Sequence, residues 1–130
     1  MRNVDYLMLE RPENIIVKKT EAFGDRIVKM YKYLLEKKEG NADILKQILR
    51  SGTSIGANTA EGQYAQTKAD FLTKMSIALK EANETKYWLQ RLYAGDYLSK
   101  SEYESIICDN EEIISILVKI TGTTKRNLQK

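Results

Sequence analysis

The chain contains no histidine, one proline and one cysteine in 130 residues. Without an imidazole there is neither a histidine general base nor a histidine metal ligand. The Glu-x-x-His pairs that hold metals in di-iron and di-manganese bundles therefore cannot be assembled. A single proline leaves helices free to run long. The lone thiol, Cys108, has no internal partner for a disulfide, which fits a reducing compartment. No apolar run approaches the roughly 18 residues of a membrane span. The stretch Met1-Arg2-Asn3-Val4-Asp5-Tyr6 lacks the basic-then-apolar order of a secretory signal. A cytoplasmic protein that does not enter a membrane is expected.

What is present is an ordinary balance for one folded domain, with 42% hydrophobic and 30% charged residues. The net charge of +3, from 21 basic and 18 acidic residues, is too small to imply nucleic acid. Its distribution says more. Residues 15–38 carry a net +4 and residues 119–130 another +4, whereas residues 99–118 carry −4. Such a division gives the folded chain distinct electrostatic faces.

Apolar residues recur at helical spacing throughout, and no segment alternates as a strand does. Residues 1–14 lack a period and read as an arm. A first helix over about 15–38 places Phe23, Ile27, Met30 and Leu34 on one face and stops near Glu39-Gly40-Asn41. A second, about 43–62, buries Leu45, Ile48, Leu49, Gly52, Ile55, Gly56 and Thr59. Its middle, from Ser51 to Ala60, is a poor helix former, since each interior glycine costs about 1 kcal/mol relative to alanine. Close packing from outside must offset that loss, so this helix is expected to be tightly enclosed. A third helix, about 67–94, opens at Thr67 with Asp70 in capping-box order and repeats Phe71, Met75, Ala78, Ala82, Thr85, Leu89 and Leu92. Gly95 ends it. A fourth, about 100–120, opens at Ser99 with Glu102 and buries Ile107, Asn110, Ile114 and Leu117, flanked by Ile106, Ile113 and Ile120. Residues 121–130 read as a fraying basic tail.

The fold class expected is all-α: an up-down-up-down antiparallel four-helix bundle. Val28, Tyr31 and Leu35 widen the apolar arc of the first helix, and Leu72, Leu79 and Trp88 that of the third. A four-helix core needs one stripe per helix, so the surplus points to a homo-oligomer, the alternative being a few exposed apolar side chains.

Chemistry is sparse. Ser51, Ser54 and Cys108 have no base at a recognisable spacing, and Cys108 beside Ile107 reads as a packing residue. No strand leads into a glycine-rich phosphate loop. No catalytic residue, metal or cofactor is expected, and the protein is read as a non-enzyme. Two surfaces remain. Arg50, Ser54, Asn58 and Glu61 follow one another at steps of four, four and three beside the glycines, marking a contact between helices or subunits rather than only a wet side. Lys18, Lys19, Arg26, Lys29 and Lys32, together with Lys125 and Arg126, could contact phosphates, or could simply be solvated and paired with acids along the helix. Repetition of the basic stretches around a symmetric ring would add weak patches into one field.

The run Leu49-Arg50-Ser51-Gly52-Thr53-Ser54-Ile55-Gly56-Ala57-Asn58-Thr59-Ala60-Glu61-Gly62 leads on to Asp70-Phe71, Lys74 and Ile77-Ala78-Leu79-Lys80-Glu81-Ala82. Glu84-Thr85-x-Tyr87-Trp88-Leu89 follows. This combination resembles the bacterial four-helix-bundle family of proteins encoded in intervening sequences of 23S ribosomal RNA genes, often labelled S23. Arg26-Ile27-Val28-x-Met30-Tyr31-Lys32-Tyr33-Leu34 is similar to the family's first helix, so the resemblance covers about residues 14–120. It extends to the accessory variability proteins of diversity-generating retroelements. The resemblance implies a barrel-shaped homopentamer with a basic surface for RNA or DNA and a reverse transcriptase as a protein partner, with Trp88 and the helix-two residues in oligomer or close helix packing. It implies no catalytic site. Without a nucleic-acid role, the same bundle is expected to act as a protein-binding scaffold or adaptor.

Overall fold

The computed structural model describes residues 12–37 and 42–130. Four helices account for nearly all of them: α1 (Pro12–Lys37), α2 (Ala42–Gly62), α3 (Lys68–Ala94) and α4 (Lys100–Leu128). Each packs only on its neighbours in a ring, α1 on α2, α2 on α3, α3 on α4, and α1 more lightly on α4. The connections at 63–67 and 95–99 are too short for anything but antiparallel neighbours. No helix among the described residues is long and apolar enough to cross a membrane.

The helix ends are locally determined. Pro12 occupies the first position of α1, where a missing N–H costs no intrahelical bond. At α3, Thr67 Oγ1 accepts from the Asp70 N–H at 3.0 Å. At α4 the capping box is complete: Ser99 Oγ accepts from the Glu102 N–H, and the Glu102 carboxylate accepts from the Ser99 N–H. After Gly95 the left-handed residue is Asp96, at φ 65°. The Asp96 and Tyr97 N–H groups reach back to the Tyr93 and Leu92 carbonyls, closing a Schellman turn. The expected stop at residues 39–41 lies outside the described residues, as do residues 1–11 of the arm expected over 1–14; α1 already begins at Pro12, so residues 12–14 belong to the helix and not to an arm.

Two further expectations are corrected. The fourth helix does not end near residue 120; it continues to Leu128 through most of the stretch read as a tail. The hydroxyls of Thr121 and Thr124 donate to the Leu117 and Ile120 carbonyls within the helix, and burial of Ile120 and Thr121 in the bundle offsets the weak helix propensity of this stretch. Lys125 and Arg126 then sit in the last turn, where positive charge favours the exposed carbonyl ends. Cys108 is exposed. One residue past Ile107, the helix has turned about 100° away from the core.

The core runs the length of the bundle through Ile16, Phe23, Ile27, Leu34, Leu45, Ile48, Ile55, Met75, Leu89, Leu92, Ile113 and Leu117. Polar groups cross it in pairs. Thr20 bonds Thr59 across the α1–α2 contact at 2.7 Å, and Thr85 donates to Ser51 across α2–α3 at 2.9 Å. Asn110 Nδ2 donates to the Ala82 carbonyl at 3.2 Å. The glycines of α2 let α1 lie close. A Cβ at Gly52 would stand 2.8 Å from Ile27 Cγ1, and one at Gly56 would stand 3.1 Å from the Thr20 carbonyl oxygen. The enclosure that the weak helix requires is therefore supplied within the chain, by α1.

Candidate nucleic-acid interface

The basic residues of α1 divide between two faces. Lys19 and Arg26 turn toward α4, where Lys19 Nζ lies 3.1 Å from Glu112 Oε1 and Arg26 Nη1 lies 2.5 Å from Asp109 Oδ2. Arg26 also donates to Ser105 Oγ at 3.0 Å. The acidic and basic segments of the sequence thus meet along the α1–α4 seam and neutralise one another. Lys86 of α3 takes up Glu111 on the other side of α4. Each such half-exposed pair contributes only about 0–1 kcal/mol, but it removes a cation from the surface available to phosphates.

Lys18, Lys29 and Lys32 are exposed on the outer face of α1, where Glu21, Asp25 and Glu36 are exposed as well. Arg26 and Lys29 come together at a cleft of about 640 Å³ between α1 and α4, floored by Met30, Leu98 and Ile106.

Positive charge is less diluted at the end of the bundle where α1 and α3 begin and α4 finishes. Lys68, Lys119, Lys125 and Arg126 are all exposed there, and none has a carboxylate within ion-pairing distance among the described residues. Lys119 and Arg126 are seven residues apart and share a face of α4. A pocket of about 610 Å³ opens at the same end, lined by Asn14 of α1, Gln66 and Lys68 near the start of α3, Phe71, and Thr124 and Asn127 of α4. Lys68, Lys119 and this pocket escaped the sequence reading. Treating residues 121–130 as frayed removed the helical register that sets Arg126 above Lys119 and carries Asn127 to the pocket.

The second set of expected contact residues is engaged inside the chain. Arg50 Nη1 donates to Glu81 Oε1 at 2.8 Å, while its Nη2 donates to Glu84. Trp88 Nε1 donates to the same Glu84 carboxylate at 3.0 Å. Hydrogen bonds donated by Arg50 first, and then by Trp88, hold the Glu84 carboxyl below the ordinary carboxylate range, and the bonds that Arg50 donates to Glu84 and then Glu81 raise its own value. Glu81 is 9% exposed and belongs to the α2–α3 packing. Ser54 donates to the Arg50 carbonyl and Asn58 to the Ser54 carbonyl, while Glu61 pairs with Lys74 at 2.7 Å. Gly52 and Gly56 face α1. Beyond this network the bundle leaves apolar surface open, with Val28 47% and Leu35 40% exposed on α1 and Ile77 38% and Tyr87 51% exposed on α3. Among the described residues, no group of three or more cysteine, histidine or acidic side chains could hold a metal.

These features define a four-helix bundle in which six acids are held in ion pairs between helices, and in which Lys68, Lys119, Lys125 and Arg126 form an exposed cluster at one end with no carboxylate partner among the described residues. The chain belongs to the family of 23S rRNA-intervening sequence proteins, whose pattern matches residues 12–119. It is similar to a crystal structure of a protein of unknown function from the S23 ribosomal protein family of Bacteroides thetaiotaomicron. The two are 46% identical, with a TM-score of 0.83, over 86% of this chain and 99% of that one. No curated protein matches the chain.

Proposed function

We propose that the protein is a non-enzymatic, homo-oligomeric bundle that associates with nucleic acid through phosphate contacts, without sequence specificity. The observation that carries this reading is the cluster Lys68, Lys119, Lys125 and Arg126 at one bundle end, exposed and without carboxylate partners among the described residues. Lys18, Lys29 and Lys32 add to it along α1, whereas Lys19 and Arg26 hold α4. Cations so placed attract phosphate of any sequence, and their contribution falls as salt rises. Membership of the intervening-sequence family is compatible with such a role. The exposed Val28, Leu35, Ile77 and Tyr87 support assembly, and the family resemblance supports a pentamer. Native mass spectrometry is then expected to find five copies of the 15.0 kDa chain in one particle.

The phosphate contacts are tested by binding short labelled single strands across a salt series. Three contacted phosphates give a slope of log affinity on log salt of about −2. The double variant Lys125→Ala with Arg126→Ala is expected to lose about 1.4 from the magnitude of that slope, at roughly 0.7 per contact. A flat wild-type line, or no binding at low salt, rejects the proposal.

A second reading, a protein-binding scaffold, draws on the α3 surface. There Arg91 lies over the Tyr87 ring, which meets Trp88 edge-on, and Ile77 is exposed further along the helix. A partner retained from nuclease-treated lysate, and lost on Tyr87→Ala, favours that reading.

A further inference from the structure

The pocket at the basic end differs in chemistry from the rest of the surface. Four carboxamides line it: Asn14 from the first turn of α1, Gln63 and Gln66 from the α2–α3 connection and Asn127 from the last turns of α4. Gln63 donates to the Thr59 carbonyl at 3.1 Å, whereas the side chains of Asn14, Gln66 and Asn127 make no hydrogen bond to another described residue. A carboxamide offers two donors and an acceptor in one plane, the combination that matches the edge of a nucleobase. Phe71 supplies an aromatic ring in the same lining, and among the described residues no carboxylate lines the pocket. At about 610 Å³ the space lies within the usual range for small-ligand sites. Its rim carries Lys68, while Lys125 and Arg126 lie on the same closing turns of α4.

Resting on the phosphate-binding reading above, we infer that this pocket receives one unpaired nucleobase. Phe71 provides the stacking surface, and the carboxamides of Asn14, Gln66 and Asn127 meet the base edge. The strand's phosphates lie on Lys68, Lys125 and Arg126. A base inside a duplex cannot enter without leaving its stack, so the site selects single strands or strand ends over duplex.

The test compares a short single strand, the matched duplex and an abasic strand with the same number of phosphates, all at one low salt concentration. The wild-type protein is expected to bind the base-bearing strand about tenfold more tightly than the abasic one, the scale of one stacked base. The double variant Gln66→Leu with Asn127→Leu, both exposed positions, is expected to narrow that preference, because the base edge loses partners while Phe71 still stacks, and to keep wild-type affinity for the duplex. Phe71→Leu is expected to reduce the preference in the same way. A nucleoside monophosphate bound as tightly as the strand supports the pocket and assigns it to a free nucleotide. Equal wild-type affinity for abasic and base-bearing strands overturns the inference and leaves phosphate binding standing. Absence of binding to every probe overturns both.

Discussion

Gly52→Ala is expected to destabilise the bundle by about 2 kcal/mol, although the same change in an exposed helix would stabilise it by about 1 kcal/mol. The new methyl would stand 2.8 Å from Ile27 Cγ1, 2.9 Å from Cγ2 and 3.3 Å from Cβ. Ile27 is fully buried and branched at Cβ, so it has no flexible end to swing aside. Ile27→Ala alone is expected to cost about 3 kcal/mol by leaving a cavity. In the double variant each change relieves the other, because both γ carbons are gone and the new methyl occupies part of the space. Urea unfolding of the four proteins should yield a favourable coupling of about 1–2 kcal/mol. Strict additivity would mean that α1 and α2 do not press together at this point. Gly56→Leu is the contrasting case. Its Cβ would meet the Thr20 carbonyl oxygen at 3.1 Å and the carbonyl carbon at 3.4 Å, which are backbone atoms that no side-chain truncation removes. A loss of about 3 kcal/mol with no rescue by Thr20→Ala is expected.

This contact also shows how far the sequence could be read. A run of Gly, Ser and Thr inside a helical pattern announces that something lies close, because such a helix cannot hold itself. It does not say what. Another helix of the same chain and a helix of a neighbouring subunit impose the same demand for small side chains, and only the three-dimensional structure names Ile27 and Thr20 of α1. The stripes of α3 and α4 were legible because burial on one helix face imprints a 3.6-residue period. The caps at Thr67 and Ser99 were legible because their partners lie three residues away. Long-range pairing leaves no such trace. Lys19 and Arg26 look like any surface cations until Glu112 and Asp109, more than eighty residues later, are brought opposite them. The course of α4 beyond residue 120 was hidden for the converse reason. Gly122 and its neighbouring threonines are weak helix formers, and the hydroxyl bonds of Thr121 and Thr124 to the preceding turn depend on packing that hides Thr121. That misreading also concealed the pocket, because Asn127 reaches it only from an intact helix.

Arg50 should be the most sensitive charge in the molecule. Its two terminal nitrogens serve two carboxylates on successive turns of α3, Glu81 and Glu84, and the Glu81 side chain retains only 12% of its exposure. Arg50→Ala leaves these two acids facing each other without a counter-ion, one of them in a largely dry position. A loss of about 2 kcal/mol at neutral pH is expected, below the figure for a fully buried pair because the Arg50 side chain is itself 49% exposed. Arg50→Lys should recover only part of it, since one ammonium does not reproduce a two-pronged guanidinium. The pH dependence distinguishes charge from packing. Glu84 has a folded-state value below its unfolded one, so its stabilisation is complete above the ordinary carboxylate range. It disappears as pH falls through the folded value, where the native state must also take up the proton. The gap between wild type and Arg50→Ala, measured by urea unfolding from neutral to acid pH, should therefore narrow steadily as the carboxylates protonate. A gap that stays constant down to acid pH would mean that the arginine acts through the packing of its aliphatic stem, and that the ion pair to Glu84 contributes nothing to the α2–α3 contact.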